Sequence, residues 1–87
     1  MGKLIVVSVF DSAVQAYNRP FYVPSRGLAV RSFTDEVNRK DANNAMNAHP
    51  SDFDLCVLGT WDEDTGGFTN VDNIEVLCRA KDVIVKE

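Results

Sequence analysis

The chain has 87 residues, of which 45% are hydrophobic and 25% are charged, and its formal net charge is −4. This length gives room for one core, so we expect a single domain over residues 1–87, and the apolar content excludes a disordered chain. The longest apolar run, Leu4–Phe10, is interrupted by Ser8 and is far shorter than the roughly 18 residues of a membrane span. No association with a membrane is therefore expected.

The charge is unevenly distributed along the chain. Residues 1–40 hold six basic side chains against three acidic ones (+3), whereas residues 41–87 hold three basic against ten acidic (−7). Proteins that coat nucleic acid by neutralising phosphates are usually basic, so the total charge argues against a sequence-blind coating protein. A local basic surface in the first half is still compatible with the sequence.

The first half of the chain predicts one strand and one helix. The β-branched run Lys3–Asp11 predicts a strand that is apolar on both faces and therefore central. The segment Ser12–Pro24 is predicted to be an ordered loop, because Pro20 and Pro24 exclude a continuous helix or a central strand. Ser25 is a helix-capping residue type, and the apolar spacing after it predicts a helix to about residue 38. The apolar side of this helix holds Val30, Phe33 and Val37, with Ala29 near its edge.

The second half of the chain favours a hairpin. Residues 53–61 alternate in polarity and predict a strand, and Asp62–Gly67 is a turn built from residues that tolerate positive φ. Residues 74–80 fit a strand better than a helix, and the polar segment 40–50 predicts a loop with one helical turn around 45–48. One side of the strand at 53–61 is predicted to hold Phe53, Leu55, Val57 and Trp61.

These elements predict an α+β fold, in which one helix packs across one face of a small, mainly antiparallel sheet of three to four strands. The other sheet face would then carry Cys56, Leu58 and the odd-numbered residues of the first strand. Such an apolar face could be covered by a second copy of the chain, so a homo-oligomer is among the expected assemblies.

Residues for catalysis are scarce. His49 is the only histidine, so neither a serine triad nor a Cys–His pair can form in one chain without it. The acidic turn Asp62–Asp64 matches a calcium-binding loop poorly, because Asn73 stands where a glutamate is required. Nucleotide-binding glycine motifs are absent, and Cys56 and Cys78 lie in apolar segments typical of buried thiols in a reducing compartment. The sequence therefore predicts no enzyme, no metal and no cofactor.

The segment 17–31 combines aromatic and basic side chains and contains no acidic residue. Rings that stack on bases, next to cations that contact phosphates, are the parts of a single-strand-binding surface. In the alternative interpretation, Phe21 and Tyr22 pack in the core and the arginines solvate the loop, and the residues by themselves favour this alternative. The candidate nucleic-acid-binding residues are Tyr17, Arg19, Phe21, Tyr22, Arg26 and Arg31.

Five stretches distributed along the chain are more specific than any short motif: FDSAVQAY, RPFYVPSRG, RSFTDEVNR, HPSDFDL and LGTWDEDTG. In combination they resemble the small non-structural protein of gokushovirus-type microviruses, which are single-stranded DNA phages. The resemblance implies a non-enzymatic phage protein of the host cytoplasm that binds DNA and acts in the shift to single-stranded genome synthesis. This family offers no agreed catalytic or DNA-contacting residues to carry over.

Two functions follow from these observations. In the first, the basic half with its aromatic side chains contacts single-stranded DNA or acts as a replication switch, and binding is sensitive to salt. In the second, the acidic half docks on a host or phage replication protein, and DNA is not contacted.

Overall fold

The computed structural model describes residues 2–85. Within that range five strands form one sheet, and every pair of neighbouring strands is antiparallel. The α+β class is confirmed, and the sheet is larger than the three to four strands predicted. The strands are β1 (Lys3–Asp11), β2 (Ala16–Tyr17), β3 (Phe21–Val23), β4 (Phe53–Asp62) and β5 (Phe68–Arg79). The helices are α1 (Arg26–Val37), α2 (Ala45–Ala48) and α3 (Ala80–Val83), with a 3₁₀ turn at Pro50–Asp52.

Strand β1 lies in the centre of the sheet, as its two apolar faces predicted. It pairs with β4 along one side and with β2 and then β3 along the other, while β5 pairs with the outer side of β4. The prediction that residues 12–24 form a loop is wrong in part, because β2 and β3 lie within this segment. Both are short edge strands, and Pro20 and Pro24 flank β3, where a missing backbone N–H breaks no ladder.

Helix α1 begins and ends as predicted. The Ser25 hydroxyl accepts a hydrogen bond from the Leu28 amide, and the buried residues of the helix are Ala29, Phe33 and Val37. These residues share one core cluster with alternate residues of the strands and with α3. The cluster consists of Val7, Val9, Val23, Ala29, Phe33, Val37, Phe53, Leu55, Val57 and Ala80.

The odd-numbered residues of β1 thus face the helices, and the prediction that they lie on the other face is wrong. Val7 and Val9 are buried beside the α1 residues, whereas the even-numbered residues point away. A strand that is apolar on both faces carries no alternation that would tell the two faces apart, so its sequence could not settle the orientation. The helical turn around 45–48 and the strand at 74–80 are confirmed.

A β-bulge in β4 changes which side chains share a face. Val7 pairs with Val57, but Val6 pairs with Gly59, so Leu58 is an extra residue in the ladder. The residues beyond the bulge change faces, and Trp61, which pairs with Leu4, lies on the face opposite to Val57. The prediction that Trp61 shares a side with Phe53, Leu55 and Val57 is therefore wrong.

Among residues 2–85, no helix has both the length and the apolar character needed to cross a lipid bilayer.

Gly59 permits the close approach of β4 and β5 next to the bulge. A Cβ atom at this position would overlap the backbone carbonyl oxygen of Thr69. We expect Gly59→Ala to lower the free energy of unfolding by about 1–3 kcal/mol, because the clash is with backbone in the ladder and not with a mobile side chain. Urea denaturation followed by circular dichroism measures this change.

Gly27→Ala is the matched control. A Cβ at Gly27, in the first turn of α1, meets no atom within 4 Å, so we expect the same substitution there to stabilise the helix by about 0.5–1 kcal/mol. Equal stabilities of the two variants would show that the Gly59 contact does not constrain the sheet.

Candidate functional site

The face of the sheet opposite to the core cluster is named here the open face. The buried side chains of α1 and α3 belong to the core cluster on the other side, as do Met46 and Val83, which pack against it. Residues that pair directly across neighbouring strands share a face, so the strand register gives the composition of the open face. It holds Leu4, Val6, Ser8, Phe10, Tyr17, Tyr22, Asp54, Cys56, Gly59, Trp61, Phe68, Asn70, Val76 and Arg79.

Three rings of the open face contact one another and are named the aromatic cluster: Tyr22, Trp61 and Phe68. The ring centroids of Tyr22 and Trp61 are 5.7 Å apart, and Phe68 lies 6.4 Å from each of them. Tyr22 is 44% exposed and Phe68 is 60% exposed. Large aromatic side chains usually dominate core packing, so exposed rings grouped on one face indicate a contact surface.

A second ring pair lies towards the other end of β1. Phe10 and Tyr17 pair across β1 and β2, and their ring centroids are 4.8 Å apart with the planes inclined by 50°. Tyr17 is 46% exposed. The open face therefore presents aromatic rings at two positions along the central strand.

The six residues predicted from sequence do not form one surface. Tyr17 and Tyr22 lie on the open face, whereas Phe21 pairs with Val7 and packs against the core cluster. For Phe21 the alternative interpretation, packing in the core, is the correct one. Arg26 and Arg31 belong to α1, and Arg19 is exposed between β2 and β3. Their role in binding nucleic acid is still a prediction.

Most of the arginines are paired with carboxylates. Arg26 contacts Glu75 at 3.0 Å, Arg79 contacts Asp54 at 2.8 Å, and Arg39 contacts Glu36 and Asp41 at 2.7 and 2.9 Å. The hydrogen bonds from Arg39 lower the pKa of Glu36. Within residues 2–85, Arg19 and Arg31 have no ion-pair partner, which leaves Arg19 as the cation closest in sequence to the rings of β2 and β3.

Residues 18–20 form an arch between β2 and β3, along the edge of β1. Ser8 is fully buried, and its hydroxyl donates a hydrogen bond of 2.6 Å to the carbonyl oxygen of Asn18. The Asn18 amide in turn donates to the carbonyl of Val9 at 2.8 Å. Because the Ser8 side chain belongs to the open face, this bond draws the arch that contains Arg19 and Pro20 towards that face.

Sequence reasoning missed Phe10, Trp61 and Phe68 as members of the site. Simple alternation continued through the bulge predicts Trp61 on the core side, whereas the extra residue Leu58 moves it to the open face. A glycine inside a strand pattern is a signal for a bulge, so Gly59 could have indicated the change of face. Phe68 follows the hairpin turn, and its position on the open face is set by its pairing with Trp61.

Both cysteines are free thiols. Cys56 pairs with Val76 on the open face, while Cys78 pairs with Leu55 and packs against the core cluster. Burial raises the pKa of both thiols, which makes them poor nucleophiles at neutral pH. The described residues contain no group of three His, Cys, Asp or Glu side chains that could hold a metal ion.

We expect Ser8→Ala to lower the free energy of unfolding by about 0.5–1.5 kcal/mol, because the Asn18 carbonyl loses its side-chain donor. Hydrogen exchange at Asn18 and Arg19 should become faster in this variant, since the arch is held less tightly. Ser32→Ala is the matched control, because Ser32 is exposed on α1, and its effect should stay within about 0.5 kcal/mol. Unchanged exchange at the arch in Ser8→Ala would contradict the role given to this bond.

Comparison with known proteins gives the family of the chain. Residues 4–83 match the family described as Phage ORF5 protein. The chain is also similar to Protein ORF5 of Chlamydia phage 1, with 36% identity over 67 residues that cover 75% of this chain and 70% of that protein. No solved structure matches the chain. The two matches confirm the resemblance to gokushovirus-type microviruses, and the chain belongs to the Phage ORF5 protein family.

Proposed function

We propose that this protein binds single-stranded DNA on the open face, by stacking unpaired bases on the aromatic cluster. The observation that carries the proposal is the grouping of Tyr22, Trp61 and Phe68 on a sheet face, with Tyr22 and Phe68 about half exposed. Antiparallel sheets with exposed rings are a recurrent platform for single strands, because every base presents a flat face for stacking.

The same features favour a single strand over a duplex. Bases of a duplex are already stacked on their neighbours and offer only their edges in the grooves, whereas rings on an open sheet need exposed base faces. Duplex binding would require many phosphate contacts, and the net charge of −4 makes these unfavourable. In the phage, binding of this kind would act when single-stranded genomes are made.

Electrostatic attraction contributes a small part of the proposed affinity. Arg26, Arg39 and Arg79 are tied to carboxylates, so Arg19, on the arch beside the open face, is the cation best placed for a phosphate. One phosphate contact on a single strand corresponds to a slope of about −0.7 in a plot of log K against log salt. In this proposal the sensitivity to salt that was predicted from the basic first half is therefore weak.

The proposal predicts that an exposed ring contributes directly to binding. Phe68→Ala should weaken the affinity for oligo(dT) about 5- to 150-fold, because stacking contributes about 1–3 kcal/mol per base. Trp61 is the only tryptophan of the chain, so quenching of its fluorescence during the titration reports contact with the open face. Leu28→Ala is the control, since Leu28 is 43% exposed but lies on α1.

At about 50 mM salt, binding no tighter than the non-specific range of roughly 10⁻⁴ M would overturn the proposal. Equal affinities of Phe68→Ala and the native protein would also overturn it, because the ring would then not be a contact. A titration repeated at several salt concentrations separates stacking from phosphate attraction.

A second candidate function is favoured by the acidic tip of the β4–β5 hairpin. Asp62, Glu63 and Asp64 lie at this turn, and the last two are exposed. Such a tip is suited to docking on a basic surface of a host or phage replication protein. Under this alternative, Glu63→Lys would abolish complex formation with a purified basic replication protein, and Phe68→Ala would leave it unchanged.

The charge-reversed variant with Arg19, Arg26 and Arg31 all changed to Glu distinguishes the two candidates. It removes the phosphate contact of Arg19 and adds repulsion, so DNA binding should be weakened while docking through the acidic tip persists. A triple variant that still binds DNA as the native protein does would count against the role of Arg19.

A further inference from the structure

A cleft of about 210 Å³ opens into the open face beside the aromatic cluster. It lies at the bulge, where Gly59 pairs with Val6 on one side and with Asn70 on the other. Val6 and Gly59 line the cleft together with the rings of Tyr22 and Phe68, and Asn70 is on its polar side. The cleft is therefore mainly apolar and aromatic, and its polar lining residues are Thr60, Thr69 and Asn70, of which only Asn70 carries a carboxamide.

We infer that this cleft binds a single unpaired nucleobase and that the Asn70 carboxamide hydrogen-bonds the edge of that base. The inference rests on the proposed function, since it names the position on the open face at which bound DNA is read. Stacking on the remaining rings would be independent of sequence, and the cleft would supply a preference among bases.

The size and the lining of the cleft fit one base. Its volume is below the roughly 300 Å³ at which pockets for drug-sized ligands begin, so it suits one small planar group. No charged side chain lines it, and a phosphate or carboxylate would lose its hydration there without a compensating partner. The base would therefore lie inside and its phosphate outside.

The two rings of the cleft also limit how a base can lie. The centroids of Tyr22 and Phe68 are 6.4 Å apart and the ring planes are inclined by 54°, so the rings contact each other and leave no parallel gap between them. A base must then lie beside the pair, over Val6 and Gly59. Pro20 also lines the cleft, which places Arg19, the next residue along the arch, near the phosphate of that nucleotide.

Asn70 has the chemistry needed to read the edge of a base. Its side chain is exposed and makes no hydrogen bond to any residue in the described range 2–85. A carboxamide offers an N–H donor and a carbonyl acceptor side by side, and base edges present such donor–acceptor pairs. A good two-point contact of this kind discriminates between bases by about 1–3 kcal/mol, which is about 5- to 150-fold in affinity.

The test compares the affinities of the native full-length chain for oligo(dA), oligo(dC) and oligo(dT) of equal length, measured by fluorescence anisotropy. We expect at least one of them to bind about 5-fold or more tightly than the weakest. Asn70→Ala should reduce every affinity to that of the weakest oligonucleotide, because stacking persists and edge recognition is lost. Asn73→Ala is the matched control, since Asn73 is exposed on the same strand but does not line the cleft.

The outcomes separate this inference from the proposed function. Equal affinities for all three oligonucleotides, with Phe68→Ala still weakening each of them, would overturn the base-reading cleft and leave stacking intact. Binding of none of the three would overturn both. A dimer in light scattering that dissociates in Phe68→Ala, without DNA binding, would assign the open face to a second copy of the chain and would also overturn both.

Discussion

The close contact between Gly59 of β4 and the Thr69 backbone of β5 is the constraint on which the open face depends. Strands β4 and β5 can approach this closely only where one residue lacks a side chain. Just before Gly59, Leu58 is an extra residue of β4 in its pairing with β1, which forms the bulge. The bulge sends Trp61 to the face opposite to the core. Without it, regular alternation would put that ring on the helix side, and no aromatic cluster could form.

The separation of the two sheet faces also explains the distribution of charge. The basic side chains of α1 lie on the helix side, where Arg26 meets Glu75 of β5, and Arg79 meets Asp54 at the edge of the open face. Exposed ion pairs of this kind contribute little to stability, but they neutralise the cations that a phosphate would need. This is why stacking on apolar and aromatic groups has the larger part in the proposed function.

Local patterns in the sequence predicted the elements better than the faces. The Ser25 cap and the spacing of Phe33 and Val37 gave helix α1 nearly to the residue, because capping and amphipathic periodicity act over one or two turns. The turn at Asp62–Gly67 gave the hairpin for the same reason. The edge strands β2 and β3 were missed, since two and three residues are too few for a pattern and their pairing with β1 is a tertiary contact.

The candidate site could be predicted only in part. Tyr17 and Tyr22 were selected for their aromatic character next to basic residues, and both lie on the open face. Phe21 was grouped with them because neighbours in sequence share a segment, yet adjacent strand residues point to opposite faces. Trp61 and Phe68 come from the other half of the chain, and only the register between β1, β3, β4 and β5 brings them to Tyr22.

The two groups of rings on the open face set a minimum footprint for any extended ligand. On β1, Phe10 pairs with Tyr17 at one end and Leu4 pairs with Trp61 at the other. Leu4 and Phe10 are six residues apart, which corresponds to about 20 Å at roughly 3.3 Å per residue. Between these two pairs, Val6 pairs with Tyr22 and lines the cleft, whereas Ser8 is buried and the row that it forms with Cys56 and Val76 carries no ring. A polymer lying along β1 would therefore contact rings near the aromatic cluster and again at the Phe10–Tyr17 pair, and would meet no ring over Ser8.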